Sequence, residues 1–162
     1  MPKLPHMHIR IPSALLLGAI VLSAASVRAA DCNSLRSLKL PDTNITLAES
    51  VVSGNLSVSA TNPPLQGLPK FCRVTGVIRP SSDSEIRFEV WMPQDWNGRF
   101  LGVGNGGFAG AIGYPELARD LARGFATAGS DTGHMGGAED ASWALEHPEK
   151  IKDFGWRAGK DF

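Results

Sequence analysis

Phe100–Gly110 reads FLGVGNGGFAG, a short apolar run that ends in glycines at 102, 104, 106, 107 and 110. Gly102, Gly104 and Gly107 spell G-x-G-x-x-G, the spacing of a dinucleotide-binding turn. Such a turn works when a helix opens within the glycines, because the pyrophosphate rests on the exposed N–H groups of that helix. Here Phe108 to Tyr114 intervene, and Pro115, ahead of ELARDLARG, is the first residue suited to open a helix. Asp131 stands about where the acid that grips a ribose would stand, so the imitation is partial. A second use of such glycines is to bring backbone N–H groups close to a developing oxyanion with no Cβ in the way. A third is a turn that only lets the chain pass over a sheet.

The flanks decide the fold class. Upstream, EIRFEVWMP sets Ile86, Phe88, Val90 and Met92 against Glu85, Arg87, Glu89 and Trp91, and this period of two predicts a half-buried strand. Ser81–Ser84 is a turn, so Arg73–Ile78 is the antiparallel partner of that strand. PQDWNG makes a further turn into the strand RFLGVG. Downstream, Pro115 to Gly124 predicts a helix with Leu117, Ala118 and Leu121 on one stripe. FATAGS predicts a small-residue strand, SDTGHMGG a second glycine-rich segment, and Pro148 onward another helix with Ile151, Phe154 and Ala158 on a face. An antiparallel hairpin followed by strand, loop, helix, strand, loop and helix indicates an α/β sheet. Before the hairpin, residues 30–70 predict an extension with short strands only, at Val51–Val52 and Leu56–Val58 around Ser53–Asn55.

The amino terminus carries Lys3 and Arg10 ahead of an apolar run from Ile11 to Ala25, too short to span a bilayer comfortably. With Val27 and Ala29 as small residues, residues 1–29 read as a secretory signal peptide cut after Ala29, and a secreted or periplasmic product is expected. Losing Lys3, Arg10 and Arg28 from 16 basic side chains leaves 13 against 16 acidic ones. No basic stripe remains, which excludes nucleic acid and an anionic membrane surface as expected partners. Cys32 and Cys72 form an even pair in an oxidising compartment and read as a disulfide. A zinc site is excluded, because only His134 and His147 would be left to complete its ligands. The last residues, Arg157–Phe162, fall inside what reads as the start of a helix, and a truncation is expected there.

WNGRFLGVGNGGFAG, GFATAGSDTGH and KDFGWRA, three motifs in the right order, together with FCRV, resemble the amino-terminal part of the tannase and feruloyl esterase family, secreted serine esterases with an α/β-hydrolase core and an inserted lid. The resemblance runs from Asp31 to Phe162 and makes residues 71–162 a partial α/β-hydrolase core that stops before the nucleophile elbow. It implies hydrolysis of esters of aromatic acids, galloyl or feruloyl, with a small aromatic ester as partner. It implies the Cys32–Cys72 pairing and an oxyanion donor at Gly106 and Gly107. It also implies that the nucleophile, the acid and the histidine of the triad, and a calcium site in the lid, belong to parts of the family absent from these 162 residues. No cofactor is expected within the chain. The alternative is a noncatalytic secreted domain or a truncated gene product.

Five residues near the second glycine segment call for separate readings. Ser130 lacks the glycines of G-x-S-x-G, having Ala128 and Thr132 in their places, and Gly133, Gly136 and Gly137 deny it a following helix. Asp131 and His134 are close enough in sequence for acid–base work, but in a turn after a strand they read as groups that tie the loop to itself. Trp143 reads as core packing, with the wall of an aromatic pocket as the alternative. His147, before Pro148, reads as packing at the start of the helix.

Overall fold

The computed structural model describes residues 31–60 and 62–160, so the signal peptide reading and its cleavage after Ala29 lie outside the described residues. A five-stranded sheet holds β1 (Thr43–Val51), β4 (Phe71–Ile78), β5 (Ile86–Pro93), β6 (Phe100–Val103) and β7 (Ala126–Ser130), in the spatial order β1-β4-β5-β7-β6. The expected hairpin is present, with β4 and β5 antiparallel and Val74 opposite Val90. β7 lies between β5 and β6, antiparallel to the first and parallel to the second, so β6, α1 (Tyr114–Ala122) and β7 make a βαβ unit inside a mixed sheet. Two short strands, β2 (Asn55–Leu56) and β3 (Leu65–Gln66), pair apart from it.

The segment read as an extension with short strands needs correction. β1 runs for nine residues and pairs along the whole of β4, from Thr43 opposite Ile78 to Val51 opposite Phe71. Its register shifts between Ile45 and Leu47, and its buried residues are Ile45, Ala48 and Val51. A bulge adds one residue to one strand. It sets Ile45 and Ala48 three residues apart on one face, while Val51 turns to the core under α1 on the other, and the strand then escapes a search for alternation. The 3₁₀ helix Cys32–Ser37 packs against β1 and β4, and a disulfide joins Cys32 to Cys72 with Cα atoms 5.6 Å apart.

Both faces of the sheet are covered. On one, Leu117 and Leu121 of α1 meet Val51, Leu56, Leu68, Phe71 and Trp91, with Ala118 half-buried beside them, so the predicted stripe holds. On the other, Ala158 packs on Ile78, Ile86 and Phe88. The strand β5 is therefore not half-buried: Glu89 and Trp91, on its nominally polar face, are both buried under α1. The carboxyl-terminal helix also departs from expectation. It begins as α2 (Pro148–Lys152), widens into a π turn over Asp153–Arg157 and closes as α3 (Ala158–Lys160). A π turn shifts the facing residues relative to a 3.6-residue stripe. Asp153 is thereby buried in place of Ile151, which is exposed, and its Oδ1 accepts from Ser84 Oγ at 3.0 Å and Arg157 Nη1 at 2.9 Å.

Candidate active site

In open α/β sheets, ligands bind beyond the carboxyl ends of the strands. At that end of β6 and β7 lies a cavity of about 320 Å³, lined by Gly102–Asn105, Ser130, Thr132, Phe154, Ala158 and Gly159. The glycine loop forms its rim. Helix α1 opens only at Tyr114, with Gly113 as its cap, so its amino-terminal N–H groups do not coincide with the glycines and the dinucleotide geometry is not formed.

The rim is held from two sides. Asn105, an asparagine between glycines whose role the sequence reading passed over, donates Nδ2 to Ser130 O at 3.1 Å and ties the loop to the end of β7. The second glycine segment fixes the far side, where Phe108 N donates to Ala138 O at 2.8 Å and Gly110 N to Gly136 O at 3.1 Å. Gly107 adopts φ +58°, and a Cβ there would lie 2.5 Å from Ala138 O, so glycine is required by conformation and by space. Gly106 differs. A Cβ there would meet nothing within 4 Å. Among the described residues, the N–H groups of Gly106 and Gly107 have no hydrogen-bond acceptor.

Ser130 ends β7 and is buried, but the chain turns at once through Thr132 at φ +57° and Gly133 at φ +87°. The strand-to-helix elbow of an exposed nucleophile is not formed there. Thr132 is β-branched in a region such residues avoid, held by its Oγ1 donating to Asp131 O at 2.7 Å.

Asp131 ties structure together, partly as read and partly across elements. Its Oδ1 accepts from Gly133 N at 3.0 Å within the turn and from Arg87 N at 2.9 Å on β5. Burial pushes its carboxyl above the ordinary aspartate range, opposed by those N–H groups and by Arg87. The stability owed to Asp131 is therefore greatest below that range and is lost as pH rises through the raised pKa. Asp131→Asn keeps the Oδ1 acceptor and removes the charge, so it is expected to leave the melting temperature at neutral pH unchanged or raised. Asp131→Ala orphans the buried Gly133 N–H and the part-buried Arg87 N–H and should cost about 1–3 kcal/mol in urea unfolding.

His134, expected to bind its own loop, does so through its N–H to Asp131 O and Nδ1 near Thr132 Oγ1, both at 3.4 Å, and also reaches a second loop. Its Nε2 lies 2.8 Å from Phe108 O, and its ring stacks on Trp143 with centroids 3.9 Å apart and planes at 18°. Phe154 meets both rings, and Phe108 in turn meets Phe154. Trp143 is half-buried and lines a cavity with Met135 and Leu145. His147 is half-exposed and bonds Asp83 at 3.1 Å, which fastens the start of α2 to the hairpin turn. Among the described residues, no cluster of three or more histidines, cysteines or acids is able to hold a metal ion. No helix among them is long and apolar enough to cross a membrane.

A mixed α/β sheet with a glycine-rimmed cavity at its strand ends defines the class, and sequence comparison supplies the family. The family model for tannase and feruloyl esterase matches residues 72–162, and the chain belongs to that family. It is 46% identical over 143 residues to an uncharacterized esterase of Xanthomonas campestris, covering 88% of this chain and 24% of that protein. It is 34% identical over 134 residues to feruloyl esterase C of Talaromyces stipitatus, covering 78% and 25%. The crystal structure of feruloyl esterase B from Aspergillus oryzae superposes with a TM-score of 0.69 at 33% identity, over 78% of this chain and 26% of the other. The chain thus spans about a quarter of the length of these relatives.

Proposed function

We propose that the chain is the amino-terminal part of a secreted serine esterase acting on esters of aromatic acids, and that the Gly106 and Gly107 N–H groups form its oxyanion hole. The observation that carries this reading is a pair of unclaimed backbone donors, at Gly106 and Gly107, directly after the Gly102–Asn105 stretch that lines a strand-end cavity, in a member of an esterase family. An ester carbonyl under attack gathers negative charge on oxygen, and donors fixed beforehand stabilise that charge without reorganising. Residues on hand hold the donors: Asn105 from one side and the Gly136–Ala138 segment from the other. The nucleophile would follow the helix that begins at Pro148, and the outer edge of β6, the last strand of the sheet, would receive its strand. The calcium implied for a lid finds no ligand cluster among the described residues.

The test is turnover of methyl ferulate and methyl gallate by the protein extended to the length of its relatives, beside methyl butyrate. Preference for the aromatic esters supports the reading, and absence of turnover on all three overturns it. Produced by itself, the 162-residue chain is expected to hydrolyse none of them above background, since an oxyanion hole without an attacking group retains little of the acceleration. Saturable turnover that disappears with Ser130→Ala would contradict that expectation.

A further inference from the structure

We infer that His134 is a positioning residue for the glycine loop, an inference that rests on the oxyanion reading of Gly106 and Gly107. Both polar groups of the Phe108 backbone are held by the second glycine segment. The N–H donates to Ala138 O at 2.8 Å, and the carbonyl accepts from His134 Nε2 at 2.8 Å. A carbonyl only accepts, so Nε2 carries the proton. These bonds fix the peptides on either side of Phe108 and so anchor the end of the short stretch that carries the N–H groups of Gly106 and Gly107. The loop cannot slide along its clamp. Gly110 lies so close that a Cβ there would sit 2.5 Å from His134 O, and its N–H is itself bound to Gly136 O.

The histidine is in turn placed by its surroundings rather than by solvent. It is buried, its ring is stacked on Trp143 and edged by Phe154, and Nδ1 lies 3.4 Å from Thr132 Oγ1. Phe154 and Thr132 also line the strand-end cavity, so the wall of the cavity and the clamp on its rim share two residues. Such an arrangement transmits the rigidity of the sheet end to the loop. A donor misplaced by about 1 Å can cost on the order of 10²-fold in rate, which gives the clamp a catalytic consequence although His134 touches no substrate.

Two variants separate a hydrogen-bonding role from packing in the protein extended to its relatives' length. His134→Phe keeps an aromatic ring against Trp143 and removes the donor, whereas His134→Gln keeps a donor at the corresponding distance and removes the ring. His134→Phe is expected to lower kcat on methyl ferulate by about 10- to 100-fold with KM within about twofold, and to speed amide exchange at Phe108 and Gly110. His134→Gln should restore most of kcat and the slow exchange. Equal losses in the two variants, or unchanged exchange in His134→Phe, would overturn the inference. Unmutated protein gives an independent answer by ¹⁵N spectroscopy of the ring: a slowly exchanging proton on Nε2 supports the clamp, and an unprotonated Nε2 overturns it. An unmutated protein with no esterase turnover overturns the oxyanion reading itself, a failure distinct from a turning-over protein in which His134→Phe changes nothing.

Discussion

Gly106→Val, introduced into the protein extended to the length of its relatives, is expected to lower kcat on methyl ferulate by about 10²-fold or more, the cost expected when the oxyanion is kept from its donor. The melting temperature should stay where it was. A Cβ at Gly106 meets no atom of the protein within 4 Å, and its φ is not in the left-handed region, so the fold accepts valine there. The added methyl groups fill space the acyl carbonyl would need. Gly107→Val cannot serve as the same test: positive φ and the Ala138 carbonyl 2.5 Å from its Cβ make it a folding defect first. Steady-state kinetics beside thermal melting decide the matter. Wild-type kcat in the Gly106 variant would remove that residue from the oxyanion hole.

The second large effect lies under α1 and concerns stability. Glu89 is buried at 3% exposure and accepts from three residues. Arg73 donates Nη2 at 2.7 Å and Nε at 2.9 Å, Trp91 donates Nε1 at 2.7 Å, and Tyr114 donates its hydroxyl at 2.9 Å. Glu89→Ala would leave a guanidinium with only the half-exposed Glu49 at 3.4 Å and would strand two further donors. Removing one partner of a buried ion pair costs about 3–5 kcal/mol, enough to unfold a small domain at moderate temperature. Urea unfolding measures it, and a loss below about 1 kcal/mol would show that water replaces the carboxylate. Tyr114 supplies a linked signature. Burial, then the neighbouring Glu89 charge, raise its pKa above the ordinary tyrosine range. The stability it contributes is complete below that range and is lost as pH rises through the raised value, so Tyr114→Phe should remove this part of the alkaline destabilisation.

Where the sequence repeats at a fixed period, it discloses the fold. The β4–β5 hairpin, the Leu117–Leu121 stripe of α1 and the small-residue strand β7 all stand where alternation, helix spacing and proline or glycine punctuation place them. Period fails at irregularities. A bulge hides β1, and a π turn exchanges Ile151 for Asp153. The covering of both faces of β5 also escapes, because a glutamate on an alternating strand reads as solvent-facing until its three donors are brought from β4, from β5 itself and from α1.

At the site, the glycine spacing singled out the loop, but not the difference between its members. Gly107 is bound by its positive φ and by the packing against Ala138, whereas Gly106 is free of both. His134 was visible as a residue between glycines, yet its partner is 26 positions away on another loop. A local pattern has no access to such a pairing. Asn105 gives the same lesson, being joined to the Ser130 carbonyl 25 positions on.

The most direct measurement is a crystal structure of the protein, extended to the length of its relatives, after reaction with an aryl phosphonate ester that traps an ester hydrolase in a tetrahedral adduct. The account predicts the phosphonyl oxygen in the cavity at the ends of β6 and β7, about 2.7–3.1 Å from the backbone nitrogen of Gly106 or Gly107. A phosphonyl oxygen bound elsewhere, with both of those nitrogens more than about 4 Å away and thus beyond hydrogen-bonding distance, would contradict it.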